Sequence, residues 1–170
     1  MSALLSFEYE PIVNTYTGAL YGAWVSCGGE RDHEFALEEF RSLELSDSAK
    51  LLCPIAPDRF LVYGQDDVQI GIDQYGSHDM SLKTLAELAP AYVRLDPFFL
   101  EQIENSSQKK LFLVHLLDLA NILGIKLIAP SVDRISLYYI LKNMDISLIH
   151  GPLIQSATTK KKKIETRYRR

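Results

Sequence analysis

Hydrophobic and polar residues along the first half of the chain follow short, strand-like patterns separated by turns. Two runs rich in β-forming residues are joined by the turn signal Thr17-Gly18, a combination that predicts a hairpin. A later segment mixes apolar and acidic residues at an imperfect helical spacing. The predicted elements of this half are hairpin strands over 4–13 and 19–25, a helix over 33–45, and short strands over 60–63 and 68–72.

The second half is more regular, because strand-like and helical patterns alternate along it. The strongest helical pattern ends at Gly124, the residue type that favours the left-handed conformation of a helix C-terminus. Such alternation predicts parallel strands joined by right-handed crossovers, and therefore an α/β layer or barrel. The predicted elements are helices over 80–88, 107–123 and 133–142, and strands over 91–95, 127–129 and 147–149.

Composition is that of an ordinary globular protein, with 47% apolar and 24% charged residues. Cys27 and Cys53 are too few for a disulfide framework, and neither has partners at zinc-binding spacing, so a reducing compartment fits them. The most apolar stretch, 111–129, is interrupted by polar residues and does not predict a membrane span. No signal-peptide pattern opens the sequence. These features predict a cytoplasmic protein without membrane contact.

Charge is distributed unevenly. Residues 160–170 hold seven of the 18 basic residues and one acid, which leaves 11 basic and 21 acidic side chains in the rest. We interpret 1–157 as one domain and 158–170 as a flexible basic tail that keeps the protein soluble. The alternative is a tail that contacts nucleic acid or an acidic protein surface. Tyr168 is its one aromatic residue, so nucleic acid contact is not favoured.

Candidate chemistry lies where the predicted strands end, since α/β barrels carry their sites on the loops at that side. The two carboxylates found there, Asp73 and Asp96, are too few for a hydrolytic metal pair. The residues at these strand ends are Trp24, 73–76, Asp96, Pro130, Ser131, His150 and Gly151.

Six segments, in this order and spacing, resemble the EAL domain family, the bacterial cyclic diguanylate phosphodiesterases. Each segment matches a family motif in part, and the match is loose over the first 25 residues and close over 68–157. They are Glu10-Pro11-Ile12-Val13 (Q-P-I-V in the family), Gly22-Ala23-Trp24-Val25 (G-x-E-A-L), Asp73-Gln74-Tyr75-Gly76 (D-D-F-G), Val93-Arg94-Leu95-Asp96 (V-K-I-D), Leu123-Gly124 to Ile128-Ala129 (L-G-x-x-x-I-A) and His150-Gly151 (Q-G).

The resemblance implies a TIM-barrel-like fold and metal-dependent hydrolysis, but the residues that carry the chemistry differ. Among the positions compared, Asp73 and Asp96 keep the family identity. The arginine that meets the nucleotide in the family falls near Gly28. The other departures are Trp24 for the glutamate of the name-giving motif, Gln74 for the second aspartate, Arg94 for the lysine, Pro130 for the glutamate after the I-A strand, and His150 for the glutamine.

Length points to a shortened barrel. A full eight-fold barrel takes roughly 200–250 residues, whereas this chain has 170, with 48 between Trp24 and Asp73. The resemblance places several strand–helix units in that interval. The predicted fold is therefore an incomplete TIM-barrel-like, EAL-type α/β domain with parallel strands and exposed edges. Strands near Phe60 and Val68, or a second chain, would cover the edges, and a homodimer or a tight complex is expected.

These departures predict a catalytically inactive, EAL-like regulatory protein that acts through protein–protein interaction and holds no metal or cofactor. The alternative is a non-hydrolysing cyclic diguanylate receptor, which is possible but not favoured. Trp24 either fills the space of the lost metals and nucleotide or anchors a partner, with Tyr75 and His150 as neighbours on that surface. Arg94 and Asp96 lie two apart on one strand, share a face and can neighbour Asp73, so a buried ion pair inherited from the old site is expected among them. The ligand- or partner-binding candidates are Trp24, Asp73, Gln74, Tyr75, Arg94, Asp96 and His150.

Overall fold

Eight strands form a closed barrel and follow one another around it in sequence order. The computed structural model describes residues 7–27, 49–56, 58–64, 68–77 and 81–155. The predicted helix over 33–45 and the basic tail lie outside these residues. The strands are β1 (Phe7–Asn14), β2 (Leu20–Cys27), β3 (Lys50–Ala56), β4 (Arg59–Tyr63), β5 (Val68–Tyr75), β6 (Tyr92–Leu95), β7 (Lys126–Ala129) and β8 (Leu148–His150), and the helices are α1 (Leu82–Leu88), α2 (Ser107–Leu123) and α3 (Ile135–Asn143).

The second half of the chain has the predicted parallel arrangement. β5, β6, β7 and β8 pair side by side in parallel, and the three helices lie in the connections between them. The Ser106 side chain accepts a hydrogen bond from the Lys109 backbone N–H at the start of α2, and Gly124 ends this helix at φ 72°. These caps satisfy groups that a helix end otherwise leaves unpaired. The TIM-barrel-like, EAL-type α/β fold is confirmed.

The first half closes the barrel through antiparallel pairs and one parallel pair, β2 with β3, so the expectation of exposed edges is wrong. β1 pairs with β2 as the predicted hairpin and also with β8, and β4 lies antiparallel between β3 and β5. Two residues separate β3 from β4 and four separate β4 from β5, which is too few for a helical crossover. The barrel is thus shortened by the loss of helical crossovers. A dimer is no longer required to cover an open edge.

Among the described residues, apolar side chains form two large clusters and a small third one of Val25, Leu51 and Cys53. An outer core lies between β5–β8 and the helices, with Leu113 of α2 and Leu137 of α3 fully buried in it. A second cluster fills the barrel interior, and its members come from seven of the eight strands. These are Ile12, Trp24, Leu52, Phe60, Val62, Tyr92, Ile128 and Leu148. No helix of the described residues is long and apolar enough to cross a membrane.

Candidate functional site

An ion pair between β5 and β6 forms the centre of the candidate site. Arg94 directs Nε to Oδ1 of Asp73 at 2.6 Å and Nη2 to Oδ2 at 2.8 Å. The two side chains are 14% and 5% exposed. This bidentate geometry matches the guanidinium fork to the carboxylate and uses both of its oxygens. A buried ion pair is thus present among the residues for which one was expected, and it joins Arg94 to Asp73.

The indole ring of Trp24 covers one face of the guanidinium. Cζ of Arg94 lies 3.5 Å from the centre of the ring, a cation–π contact. Phe60 meets the same indole edge-on at 5.1 Å between ring centres, and Gly71 leaves the room for Phe60, since a Cβ there would lie 2.1 Å from its ring. Trp24 itself is 5% exposed. It fills the barrel interior beside Arg94, as the first of the two interpretations of this residue predicted.

His150 and Glu10 extend the cluster across the junction of β8 and β1. The His150 ring is parallel to the indole, within 2°, and its Nε2 lies 3.4 Å from Nη1 of Arg94. Its Nδ1 lies 3.3 Å from Oε2 of Glu10, close enough for an ion pair but without hydrogen-bond alignment. Pairing of Ile12 with His150 brings the two strands into this register. We call Glu10, Trp24, Asp73, Arg94 and His150 the Arg94 cluster.

Glu10 was missed as a site residue by the sequence analysis. It lies in the first motif, at the position where the family has glutamine, and is not among the candidate site residues named from the sequence. The exchange of the family's glutamine for the carboxylate of Glu10 was the sequence signal that could have identified this residue. In the structure the His150 side chain, and to a smaller extent Arg94, holds the pKa of Glu10 below its ordinary value of 4.5. Partial burial acts in the opposite direction and raises this pKa, but its effect is smaller.

The lowered pKa makes Glu10 a source of stability that depends on pH. A carboxyl group with a depressed folded-state pKa stabilises the fold above its unfolded pKa, and that contribution is lost as the pH falls through the folded value. We expect Glu10→Gln to lower the free energy of unfolding most above about pH 5. Urea titrations of both proteins across acidic pH check this, and a difference that grows as the pH falls would contradict it.

A small cleft opens beside the cluster at the ends of β5, β6, β7 and β8. Its volume is about 190 Å³, less than the roughly 300 Å³ at which small-molecule pockets usually begin. Gly151, which follows the lining residue His150, allows the backbone to approach Val132 closely, because at its φ of 148° a Cβ would lie 2.2 Å from the Val132 backbone nitrogen. The lining residues are Glu10, Gln74, Arg94, Leu95, Pro97, Pro130, Ser131 and His150.

The structure places two of the predicted site residues elsewhere. Tyr75 is 6% exposed and packs into the outer core, because Gln74 has a positive φ of 48° and the β5–β6 register shifts there. Asp96 accepts a hydrogen bond from the Phe98 backbone N–H at 2.8 Å and caps a short 3₁₀ turn. It does not line the cleft beside Arg94.

The expected partner-facing surface at Trp24, Tyr75 and His150 is therefore wrong. All three side chains are at most 6% exposed, and Tyr75 belongs to a different core cluster from Trp24. Buried to this extent, the three rings offer no contact surface to a partner protein. Gln74, by contrast, is exposed at the rim of the cleft, as a candidate contact residue should be.

Comparison with known proteins identifies the family of this fold. Residues 56–157 match the EAL domain family, a stretch that covers more than half of the sequence. The chain belongs to the EAL domain family. The match includes β4 to β8 and therefore contains Asp73, Arg94 and His150, whereas Glu10 and Trp24 lie before it. A search of curated proteins found no match.

Solved EAL structures share the barrel at low sequence identity. A standalone versatile EAL protein from Vibrio cholerae O395, in its c-di-GMP bound form, superposes with a TM-score of 0.72 at 17% identity, over 89% of this chain and 91% of that one. An EAL domain protein from Listeria monocytogenes EGD-e gives 0.69 at 13% identity, with 94% and 93% covered. The S helix-GGDEF-EAL portion of LapD from Vibrio cholerae gives 0.69 at 17% identity, with 89% and 53% covered. With the family match, this EAL domain is a member of the c-di-GMP signalling family, and its closed barrel contains both parallel and antiparallel strand pairs.

Proposed function

We propose that this EAL domain does not hydrolyse cyclic diguanylate and acts as a regulatory protein by binding another protein. One observation carries the proposal: Asp73, the carboxylate retained from the family motif, has both oxygens bound to Arg94. Trp24 covers that arginine and stands where the resemblance places a metal-binding glutamate. Side chains of the protein itself therefore occupy the volume in which the family carries out its chemistry.

The donor set around Asp73 does not fit the metal ions of the family. Metal-assisted phosphodiester hydrolysis needs several oxygen ligands around ions that lie about 3.5–4 Å apart. Gln74 and Pro130 replace two family carboxylates, and among the described residues no three His, Cys, Asp or Glu side chains converge on a metal position. A cation would also have to displace the guanidinium from Asp73, at the cost of leaving Arg94 unpaired in the barrel.

The cleft is also poorly suited to a phosphodiester. Two of the nitrogens of Arg94 donate to Asp73, so few N–H groups of the guanidinium remain to bind a phosphate. Glu10 borders the cleft with a carboxyl group whose pKa is lowered, and its negative charge repels an anionic ligand at neutral pH. The volume of about 190 Å³ is small for a cyclic dinucleotide.

Protein binding is supported by the distribution of exposed apolar side chains. None of the large exposed hydrophobic residues among the described ones lines the cleft. Several lie on the outer helices, where a partner has direct access. Examples with more than half of their surface exposed are Leu82, Leu111, Ile122, Ile135 and Tyr139. The interaction surface is therefore expected on the outside of the barrel.

A hydrolysis assay tests the enzymatic part of the proposal. We expect the protein, incubated with cyclic diguanylate and Mg²⁺ or Mn²⁺, to form linear product no faster than buffer alone, because Asp73 has no free oxygen for a metal. An EAL protein with all family carboxylates serves as the positive control. Metal-dependent turnover that Asp73→Asn abolishes would contradict the proposal, since the activity would then belong to this chain and to this residue.

Capture from the native cell extract tests the binding part. The tagged protein should retain a partner at stoichiometric level, and excess cyclic diguanylate should not release it. If the protein captures nothing and instead binds the nucleotide with a Kd below about 10 μM, equivalent to roughly −7 kcal/mol, the non-hydrolysing receptor is the correct function and the proposal is wrong.

A further inference from the structure

Four polar side chains lie where parallel strands of the barrel begin, at the end opposite the cleft. In a barrel of this kind the end at which the strands begin usually serves stability, so polar groups gathered there need an explanation of their own. We call the four residues the Lys126 cluster. They are Tyr21 near the start of β2, Lys50 at the start of β3, Tyr92 at the start of β6 and Lys126 at the start of β7.

A β-bulge directs Tyr21 towards the barrel interior. The pairing register of β1 with β2 skips Tyr21, which is therefore an extra residue in β2. Bulges of this kind change the direction of a side chain and are frequent beside functional sites. Tyr21 packs against the interior cluster, and its hydroxyl oxygen lies 2.5 Å from that of Tyr92, which is fully buried. The two phenols thus close the barrel at this end with a hydrogen bond between them.

Two lysines border this pair of hydroxyl groups. Lys126 is exposed, and its Nζ donates a hydrogen bond to the Tyr21 hydroxyl oxygen at 3.3 Å. The same Nζ lies 5.5 Å and 5.6 Å from the ring centres of Tyr21 and Tyr92. Lys50 pairs with Gly22, where a Cβ would lie 2.2 Å from the Lys50 carbonyl oxygen, so glycine allows β3 to start close beside Tyr21.

The charges in the Lys126 cluster are positive. Burial, followed by the hydrogen bond with Tyr21, raises the pKa of Tyr92 to about 12, and the charges of Lys126 and Lys50 act against that rise. Within the part of the chain that the structure describes, no carboxylate lies at ion-pair distance from Lys126. A lysine ammonium has three N–H donors, and Lys126 gives one of them to Tyr21. Two donors of Lys126 therefore remain for a ligand.

We propose that the Lys126 cluster binds the phosphate group of a small ligand. Near neutral pH a phosphate group carries close to two negative charges, which the ammonium groups of Lys126 and Lys50 balance. The N–H donors of Lys126 supply charge-assisted hydrogen bonds to the phosphate oxygens. The rings of Tyr21 and Tyr92 border the ammonium of Lys126 on one side, and this less polar boundary strengthens its attraction for an anion.

This site is independent of the proposed function of the domain. None of the four residues of the Lys126 cluster lines the cleft. The two ends of the barrel also differ in charge, because the carboxylate of Glu10 borders the cleft whereas two lysines border the other end. The phosphate site can therefore be present whether or not the cleft binds a nucleotide.

NMR titration of the full chain with inorganic phosphate at constant ionic strength tests the site. We expect the backbone amide signals of Gly22, Tyr92 and Lys126 to shift saturably, with a Kd of about 1 mM or tighter. Acetate carries one charge and should bind at least about tenfold more weakly. Glucose 6-phosphate separates the two sources of the group, because tighter binding than phosphate identifies an ester and equal binding identifies the phosphate ion itself. The absence of a saturable shift with phosphate, or an equal response to acetate, would overturn the proposal.

Lysine variants assign the binding to this end of the barrel. Lys126→Met should weaken phosphate binding by about tenfold or more, because a charge-assisted hydrogen bond is lost, whereas Lys126→Arg keeps the charge and should retain binding. Lys83→Met is the matched control, since Lys83 is an exposed lysine of α1 outside the cluster, and it should leave the Kd unchanged. An unchanged Kd in Lys126→Met, as expected if residues 160–170 bind the phosphate instead, or an equal loss in Lys83→Met, would overturn the proposal. Circular dichroism of each variant establishes that the fold is intact.

Discussion

Asp73→Ala is expected to lower the free energy of unfolding by about 3–5 kcal/mol. The substitution removes the carboxylate that accepts two hydrogen bonds from Arg94 and leaves a guanidinium that is 14% exposed without its counter-ion. The loss of one partner of a buried pair costs more than the pair contributes, because the remaining charge stays desolvated. Urea denaturation followed by circular dichroism measures the change.

Asp96→Ala is the matched control for this prediction. Asp96 also follows a barrel strand, but its carboxylate only caps a short 3₁₀ turn through the Phe98 backbone N–H. Loss of a cap costs about 1 kcal/mol. If the two substitutions destabilise the protein equally, Asp73 and Arg94 do not form the buried pair on which the account of the site depends.

Trp24→Ala is expected to have an effect of similar size, about 3–5 kcal/mol, for a different reason. The indole fills the middle of the barrel, where it contacts Phe60, the ring of His150 and the guanidinium of Arg94. Its truncation leaves a cavity. The ion pair of Asp73 and Arg94 then borders this cavity instead of the indole ring. Tyr139→Ala, at a residue that is 55% exposed, is the control and should stay within roughly 0.5 kcal/mol of the wild type.

The same variant tests in solution the packing role that the structure gives Trp24. A residue that anchors a partner on the surface would be removed at little cost to the isolated protein and at large cost to the complex. A residue that fills the barrel would lower the stability of the isolated protein. Thermal denaturation of the purified variant is sufficient, and an unchanged melting temperature would contradict the packing role.

The elements that could be predicted from the sequence are those with local signals. The prediction of 107–123 coincides with α2, since Ser106 and Gly124 cap both ends and their types are readable. β3 was missed because Pro54 lies within it and interrupts the strand pattern, while the structure accommodates it at a register shift opposite Phe60. Closure of the barrel was missed too. It depends on the pairing of β1 with β8, two segments at opposite ends of the chain.

Prediction of the site succeeded where family motifs and strand alternation agreed. A buried ion pair was predicted among Arg94, Asp96 and Asp73, and the structure joins Arg94 to Asp73. Tyr75 was placed on the wrong side because alternation assumes a regular strand, whereas the positive φ of Gln74 reverses the direction of the next side chain. Glu10 contacts His150 through a pairing of distant strands that no local pattern reveals.

The loss of nucleotide chemistry from the Arg94 cluster is the central claim, and calorimetric titration of the full chain with cyclic diguanylate tests it most directly. Titrations with and without Mn²⁺ should give no saturable heat at nucleotide concentrations up to the high micromolar range, because Asp73, Arg94 and Trp24 already satisfy one another. A saturable signal with a Kd below about 10 μM, and above all one that requires Mn²⁺ and disappears in Asp73→Asn, would contradict the account.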